Sequence, residues 1–154
     1  MILAVADTGP IIHLDEIGVL ELLSVIDEVL IPQTVYQELE DGTVPPALES
    51  IEYELVEADV TGHNVDLDPG ETAALAVASE RAAVLLTDDL AARDAANARD
   101  VEVHGSIGII VLAYSRGELA KSEAAKLMRA LQAETSLFIT DAVVERGIAL
   151  LEET

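Results

Sequence analysis

Apolar residues fall into short unbroken runs along the chain, separated by stretches in which they recur with a helical period. Residues 2–6 form the first run and read as a buried strand of parallel type, closed by Asp7-Thr8-Gly9-Pro10 as a loop. A helical pattern opens at Leu14 or Asp15, with Ile17, Leu20, Glu21 and Ser24 alternating with Val19, Leu22 and Leu23. Residues 28–31 give a second strand, and Pro32, placed near N1 as helices prefer, starts a short helix. Residues 40–46 are a breaker-rich loop, followed by a weak helix over 47–51, a candidate strand over 53–56 and a flexible connection over 58–67.

The second half has a clearer rhythm. Asp68-Pro69-Gly70-Glu71 leads into an Ala-rich helix to about residue 81, then a strand over 83–87, a helix over 90–99 and a short strand over 101–103. Ser106 is expected to cap a helix that runs to Arg116 and stops at Gly117. This alternation predicts a three-layer α/β/α domain with a mostly parallel central sheet over residues 1–117. Two further helices, 122–134 and 141–152, follow with no strand between them. Residues 118–154 are therefore expected to form a helical appendage packed on the same domain, with Thr140 capping its second helix.

Composition sets limits on function. The chain has 154 residues, of which 51% are hydrophobic, enough for one domain with a sizeable core and too many for an acidic disordered tail. Against 30 Asp and Glu stand 8 Lys and Arg, a formal charge of −22. That excess repels phosphate backbones and excludes a basic nucleic-acid binder; a nucleic-acid function then requires bound cations or concentrated salt. Two lysines, abundant Ala and few aromatics suit a halophilic chain, because molar salt shortens the Debye length to about 3 Å. Absence of cysteine excludes a disulfide framework and a thiolate zinc site. The first twenty residues lack a basic segment and are interrupted by Asp7, Asp15 and Glu16, so neither a signal peptide nor a membrane span is expected, and the location is expected to be cytoplasmic.

Most of the 30 acids must be a solvated coat, and position sorts out the rest. In open α/β sheets the ligand crevice lies beyond the carboxyl ends of the strands. Asp7 follows the first strand directly, where it suits a turn or a helix cap as well as a site. Asp88 and Asp89 follow a later strand in the same way; one is expected to cap the next helix while the other faces the crevice, and the pattern leaves open which.

Helical geometry selects two more. With Val35 facing the core, about 100° per residue puts Leu39 at about +40° and Glu38 at about −60°, bordering the buried stripe, whereas Gln37 and Glu40 point to water. On the Ala-rich helix Glu71 shares a face with Ala74, Leu75 and Ala78, and Glu80 points away. Asp68-Pro69-Gly70-Glu71 also matches a capping box with Pro at N1, so Glu71 has a structural role available as well. Bringing Asp7, Glu38, Glu71 and Asp88 or Asp89 to one edge requires a cation. Oxygen ligands without His or Cys select Mg²⁺ or Mn²⁺, and such ions support in-line displacement at a phosphodiester.

These same residues carry a resemblance to a known family. Val5-Ala6-Asp7-Thr8-Gly9-Pro10, Val35-Tyr36-Gln37-Glu38-Leu39, Asp68-Pro69-Gly70-Glu71-Thr72-Ala73-Ala74-Leu75-Ala76 and Leu85-Leu86-Thr87-Asp88-Asp89 occur in an order and spacing that resembles the PIN-domain ribonucleases, including VapC-type toxins of prokaryotic toxin–antitoxin pairs. The resemblance covers about residues 2–115. It implies an acidic quartet at Asp7, Glu38, Glu71 and Asp89, the last through a Thr-x-Asp pattern, with Asp88 beside it leaving the fourth ligand open. Glu71 stands where the family more often has Asp, and the two C-terminal helices exceed the minimal domain; both features resemble an x-Gly-Glu-x-Ala subgroup. The implied activity is Mg²⁺- or Mn²⁺-dependent hydrolysis of RNA. Thr8 and Thr87, next to the acids in sequence, and Arg93, one turn after Asp89, are the expected substrate contacts. Implied partners are a second copy in a homodimer and an antitoxin protein, with no membrane.

Other classes fit less well. A PIN fold used for binding or assembly without turnover is the alternative. A receiver domain or a haloacid-dehalogenase phosphatase needs a lysine after a later strand, and the two lysines are Lys121 and Lys126 in the appendage; the first strand also lacks Asp-x-Asp. His13, His63 and His104 lack metal-ligand spacing and read as surface or core residues, although His13 is near enough to Asp7 in sequence to reach the site.

Overall fold

The computed structural model describes residues 1–63 and 66–154. Five strands, β1 (Leu3–Ala6), β2 (Glu28–Pro32), β3 (Glu54–Val56), β4 (Val84–Leu86) and β5 (Val103–His104), form one sheet in the order β3-β2-β1-β4-β5. Every pairing is parallel; Ala4 of β1 lies beside Val29 on one side and Val84 on the other. Parallel strands need crossovers, which explains the helices that cover both faces and the near-absence of polar residues in β1 and β4. The expected three-layer α/β/α architecture is the one observed.

The helices are α1 (Thr8–Glu16), α2 (Gln33–Asp41), α3 (Pro69–Arg81), α4 (Leu90–Ala98), α5 (Ser106–Ser115), α6 (Lys121–Glu134) and α7 (Asp141–Glu152), with 3₁₀ segments at Leu20–Val25 and Pro46–Ser50. Helix α3 lies across β1, β2 and β4, and its residues 73–78 are all buried. The core runs on from the sheet through Ile109, Ile110 and Ala113 of α5 to Ala124, Met128 and Leu131 of α6 and Leu151 of α7. Among the described residues no helix is long and apolar enough to cross a membrane.

Several boundaries differ from the sequence expectation. Asp7-Thr8-Gly9-Pro10 is the start of α1 rather than a loop: Asp7 caps it through the Thr8 N–H, and Pro10 sits in the first turn, where no intrahelical N–H is needed. The stretch expected to continue as a helix past residue 16 breaks at Gly18, whose φ is +71°, and resumes as the 3₁₀ segment. Pro32 closes β2 and is the N-cap of α2, not its first helical residue. The last strand falls at 103–104, two residues later than expected at its start. Residues 58–63 and 66–67 contain no helix or strand; residues 64 and 65 of that expected connection lie outside the described residues.

Candidate active site

Asp7 lies at the carboxyl end of β1 with 3% of its surface exposed. Its Oδ1 accepts the Thr8 N–H at 2.9 Å and its Oδ2 accepts the Thr87 hydroxyl at 3.0 Å. Burial pushes its pKa up to about 6, against the pull of those two hydrogen bonds, and the Asp68 and Glu38 carboxylates push the same way. Thr87, fully buried after β4, also accepts the Asp89 N–H at 3.2 Å. Its hydroxyl thus ties the end of β1 to the β4–α4 turn, and its burial makes it a brace rather than the substrate contact expected of it.

Glu38 projects from α2 at the border of the buried stripe, half-buried, while Gln37 and Glu40 are exposed. The Thr8 side chain and the Gly70 backbone N–H bond to it, yet burial and Asp68 hold its pKa above the ordinary value. A Cβ at residue 70 would overlap the Glu38 carboxyl group, with Cδ and Oε2 both 2.6 Å away. Glycine here is what lets α2 and α3 bring Glu38 up to the N-terminus of α3.

Glu71 stands in the first turn of α3. Asp68 caps that helix by accepting the Glu71 N–H at 2.8 Å, but the return arm of a capping box is absent because the Glu71 carboxyl turns toward Asp89. Its Oε2 is buried with no hydrogen-bond partner. Burial is the largest cause holding Glu71 well above the usual carboxylate range, followed by its hydrogen bonds with Asp68 and Asp89. Asp89 shifts downward, chiefly through the same bond with Glu71, so the two carboxyls titrate as one coupled pair that shares a proton.

The neighbouring aspartates part company. Asp89 uses Oδ2 to cap α4 at the Ala92 N–H, 2.9 Å away, and faces Glu71. Asp88 turns the other way: Oδ1 accepts the Ser106 N–H at 2.7 Å, and Oδ2 accepts the Ser106 hydroxyl at 2.6 Å and meets His13 Nδ1 at 2.7 Å. Both aspartates therefore cap helices. Ser106, expected to be a cap, is instead the first residue of α5 and receives its cap from Asp88.

The acidic positions thus gather beyond β1 and β4, where the strand order reverses, which is where ligands bind in folds of this layout. A family model for the PIN domain (DUF3368) matches residues 3–153. This chain belongs to that PIN-domain family. Among solved structures it is similar to a PilT N-terminus domain protein, SSO1118, from the hyperthermophilic archaeon Sulfolobus solfataricus P2, with 18% identity and a TM-score of 0.57 over 77% of this chain and 97% of that one, a likeness of fold. No curated protein matches it. The PIN fold is a nuclease fold whose members bind nucleic acid and typically use divalent metals.

In this PIN domain Asp7, Glu38, Glu71 and Asp89 act on one another electrostatically, while Asp88 is held by Ser106 and His13. Among the described residues no three His, Asp or Glu side chains converge as a closed metal cluster. The chemistry of the set nevertheless fits a hard divalent cation: it offers oxygen donors alone, a buried Glu71 Oε2 without a partner, and a proton shared where a cation would serve. Thr8 is half-buried and engaged with Glu38. Arg93 is half-buried on α4 and forms no ion pair among the described residues.

Sequence reasoning missed one member of this group. Asp68 was visible only as a cap, yet its charge raises the pKa of Asp7, Glu38 and Glu71 alike. The signal was its place three residues before Glu71, which puts both carboxylates at one helix end. A groove of about 1220 Å³ between residues 16–27 and α6 contains none of these acids.

Proposed function

We propose that this PIN domain is an endoribonuclease that hydrolyses RNA phosphodiester bonds with Mg²⁺ or Mn²⁺ held by Asp7, Glu38, Glu71 and Asp89. The observation that carries the proposal is the buried, unpartnered Oε2 of Glu71 beside an Asp7 carboxyl whose pKa is raised to about 6, an arrangement that costs stability until a cation compensates it. Such a cation, when bound, supplies a water nucleophile at neutral pH and neutralises charge on the phosphodiester. The chain's own residues prepare the site. Glu71 and Asp89 release their shared proton, Thr8 and Gly70 orient Glu38, and Thr87 fixes Asp7 against the β4–α4 turn. Arg93 is assigned to a phosphate oxygen.

This reading extends to the toxin of a toxin–antitoxin pair, acting in the cytoplasm as a homodimer until an antitoxin protein binds it. Incubating the protein with single-stranded RNA in molar KCl and Mn²⁺ tests the central claim. Cleavage by the wild type that D7N reduces at least 100-fold supports it. Equal, negligible cleavage by both sinks it in favour of a PIN fold that binds or assembles without turnover.

A further inference from the structure

His13 lies outside the acidic quartet, and nothing in the proposed hydrolysis uses it. Its Nδ1 meets Asp88 Oδ2 at 2.7 Å, and the same carboxylate takes the Ser106 N–H and hydroxyl at 2.7 and 2.6 Å. A carboxylate only accepts, so the proton between the two groups belongs to Nδ1; when the ring carries that single proton, the lone pair is on Nε2. Only 13% of the side chain is exposed, and Nε2 neither has a partner among the described residues nor is it a buried orphan. Nε2 is therefore the edge of the ring that reaches solvent.

The ring also stands beside the site. Thr8 and Gly9 share the first turn of α1; Thr8 bonds to Glu38, while a Cβ on Gly9 would lie 3.6 Å from Asp88 Cβ and 3.7 Å from His13 Cε1. A Cβ at Gly105 would lie 2.6 Å from Asp88 Oδ1 and 3.0 Å from Arg93 Nη1, so Arg93 also stands near Asp88. Asp88 thus has a donor, Arg93, and an acceptor, His13 Nε2, near it. Phosphate oxygens only accept and suit Arg93. A solvent-facing lone pair beside Asp88 needs a donor, and the donor that RNA carries on every nucleotide and DNA lacks is the 2′-hydroxyl.

We infer that His13 is a specificity-determining residue, accepting a hydrogen bond from a ribose 2′-hydroxyl and so favouring RNA over DNA. The inference rests on the nuclease reading and adds the sugar chemistry to it. Atomic contact is read by fluorescence anisotropy in molar KCl with Ca²⁺ replacing Mn²⁺, using one single-stranded sequence as RNA, as 2′-deoxy and as 2′-fluoro oligonucleotide. Fluorine keeps a ribose-like pucker but donates no hydrogen bond.

Wild type is expected to bind RNA about 3- to 10-fold more tightly than either analogue, the worth of one net hydrogen bond. H13N, whose amide can keep the bond to Asp88 but ends short of Nε2, is expected to bind all three alike with an unchanged melting temperature. A wild type that binds the 2′-fluoro strand as well as RNA overturns the inference without recourse to any variant. Retained RNA preference in H13N overturns it too. In both cases Mn²⁺-dependent cleavage, if present, leaves the nuclease reading standing. A wild type that neither binds nor cleaves any strand defeats that reading and the inference with it.

Discussion

The carboxyl group of Glu38 occupies the space that a side chain at Gly70 would fill. Alanine favours a helix over glycine by about 1 kcal/mol, and Glu38 is the end of a flexible chain that can swing aside. G70A should therefore melt within a few degrees of the wild type. Displacing Glu38 by the order of 1 Å should nevertheless lower the cleavage rate about 100-fold. Melting curves beside cleavage rates check this, and unaltered rates would mean that Glu38 does not act at the site.

Asp7 gives the metal-free protein a specific pH dependence. Its carboxyl titrates near the ordinary 3.8 when unfolded and at about 6 when folded, so between those values the folded state binds a proton that the unfolded state does not. Its contribution is therefore full below about pH 4 and is lost as pH rises through about 6, a change on the order of 3 kcal/mol. D7N keeps oxygen and nitrogen partners for Thr8 and Thr87 without the charge. Urea unfolding in EDTA should show wild type losing stability relative to D7N from pH 4 to 7, and Mn²⁺ should restore it in wild type alone. Parallel curves for the two proteins would rule out burial as the cause of the raised pKa.

Asp88 and Asp89 should separate into stability and chemistry. D88A strands two donors on Ser106 and one on His13, which should cost about 1–3 kcal/mol while leaving Mn²⁺ affinity close to wild type. D89A loses one cap bond, about 1 kcal/mol, and should weaken Mn²⁺ binding at least tenfold. Calorimetric titration with Mn²⁺ and thermal melts rank the pair. The reverse ranking would assign the fourth ligand to Asp88.

The charge of −22 makes stability salt-dependent. Raising KCl from 0.1 M to 1 M shortens the Debye length from about 10 Å to about 3 Å, which screens repulsion between surface acids such as Glu40 and Glu80. The melting temperature should rise steadily over that range. A flat response would remove the argument for a halophilic chain.

How much of this was readable in advance depended on the range of the interactions. Glu38 could be told from Glu40 because α2 is amphipathic, with Val35 and Leu39 buried and Gln37 and Glu40 exposed. In α3, by contrast, six consecutive residues from Ala73 to Ala78 are buried, so periodicity says little and the N-terminal position of Glu71 decides its role. The start of α1 was hidden because Gly9 and Pro10 resemble breakers, although Pro10 falls where a helix tolerates it. The choice between Asp88 and Asp89 was out of reach, since the groups that claim Asp88 are 18 and 75 residues away.

Helix α7 meets α5 and α6 at Gly147, where a Cβ would stand 2.7 Å from Ile107 Cγ2 and 3.0 Å from Met128 Sδ. Residue 107 directly follows Ser106, the residue that anchors Asp88. The last two helices therefore press on the back of the same helix whose front end orders the β4–α4 turn. Removing them would strip the apolar flank of α5 and loosen the turn together. Through Gly147 and Ile107 the pair thus shares in the support of a turn that lies on the far side of α5.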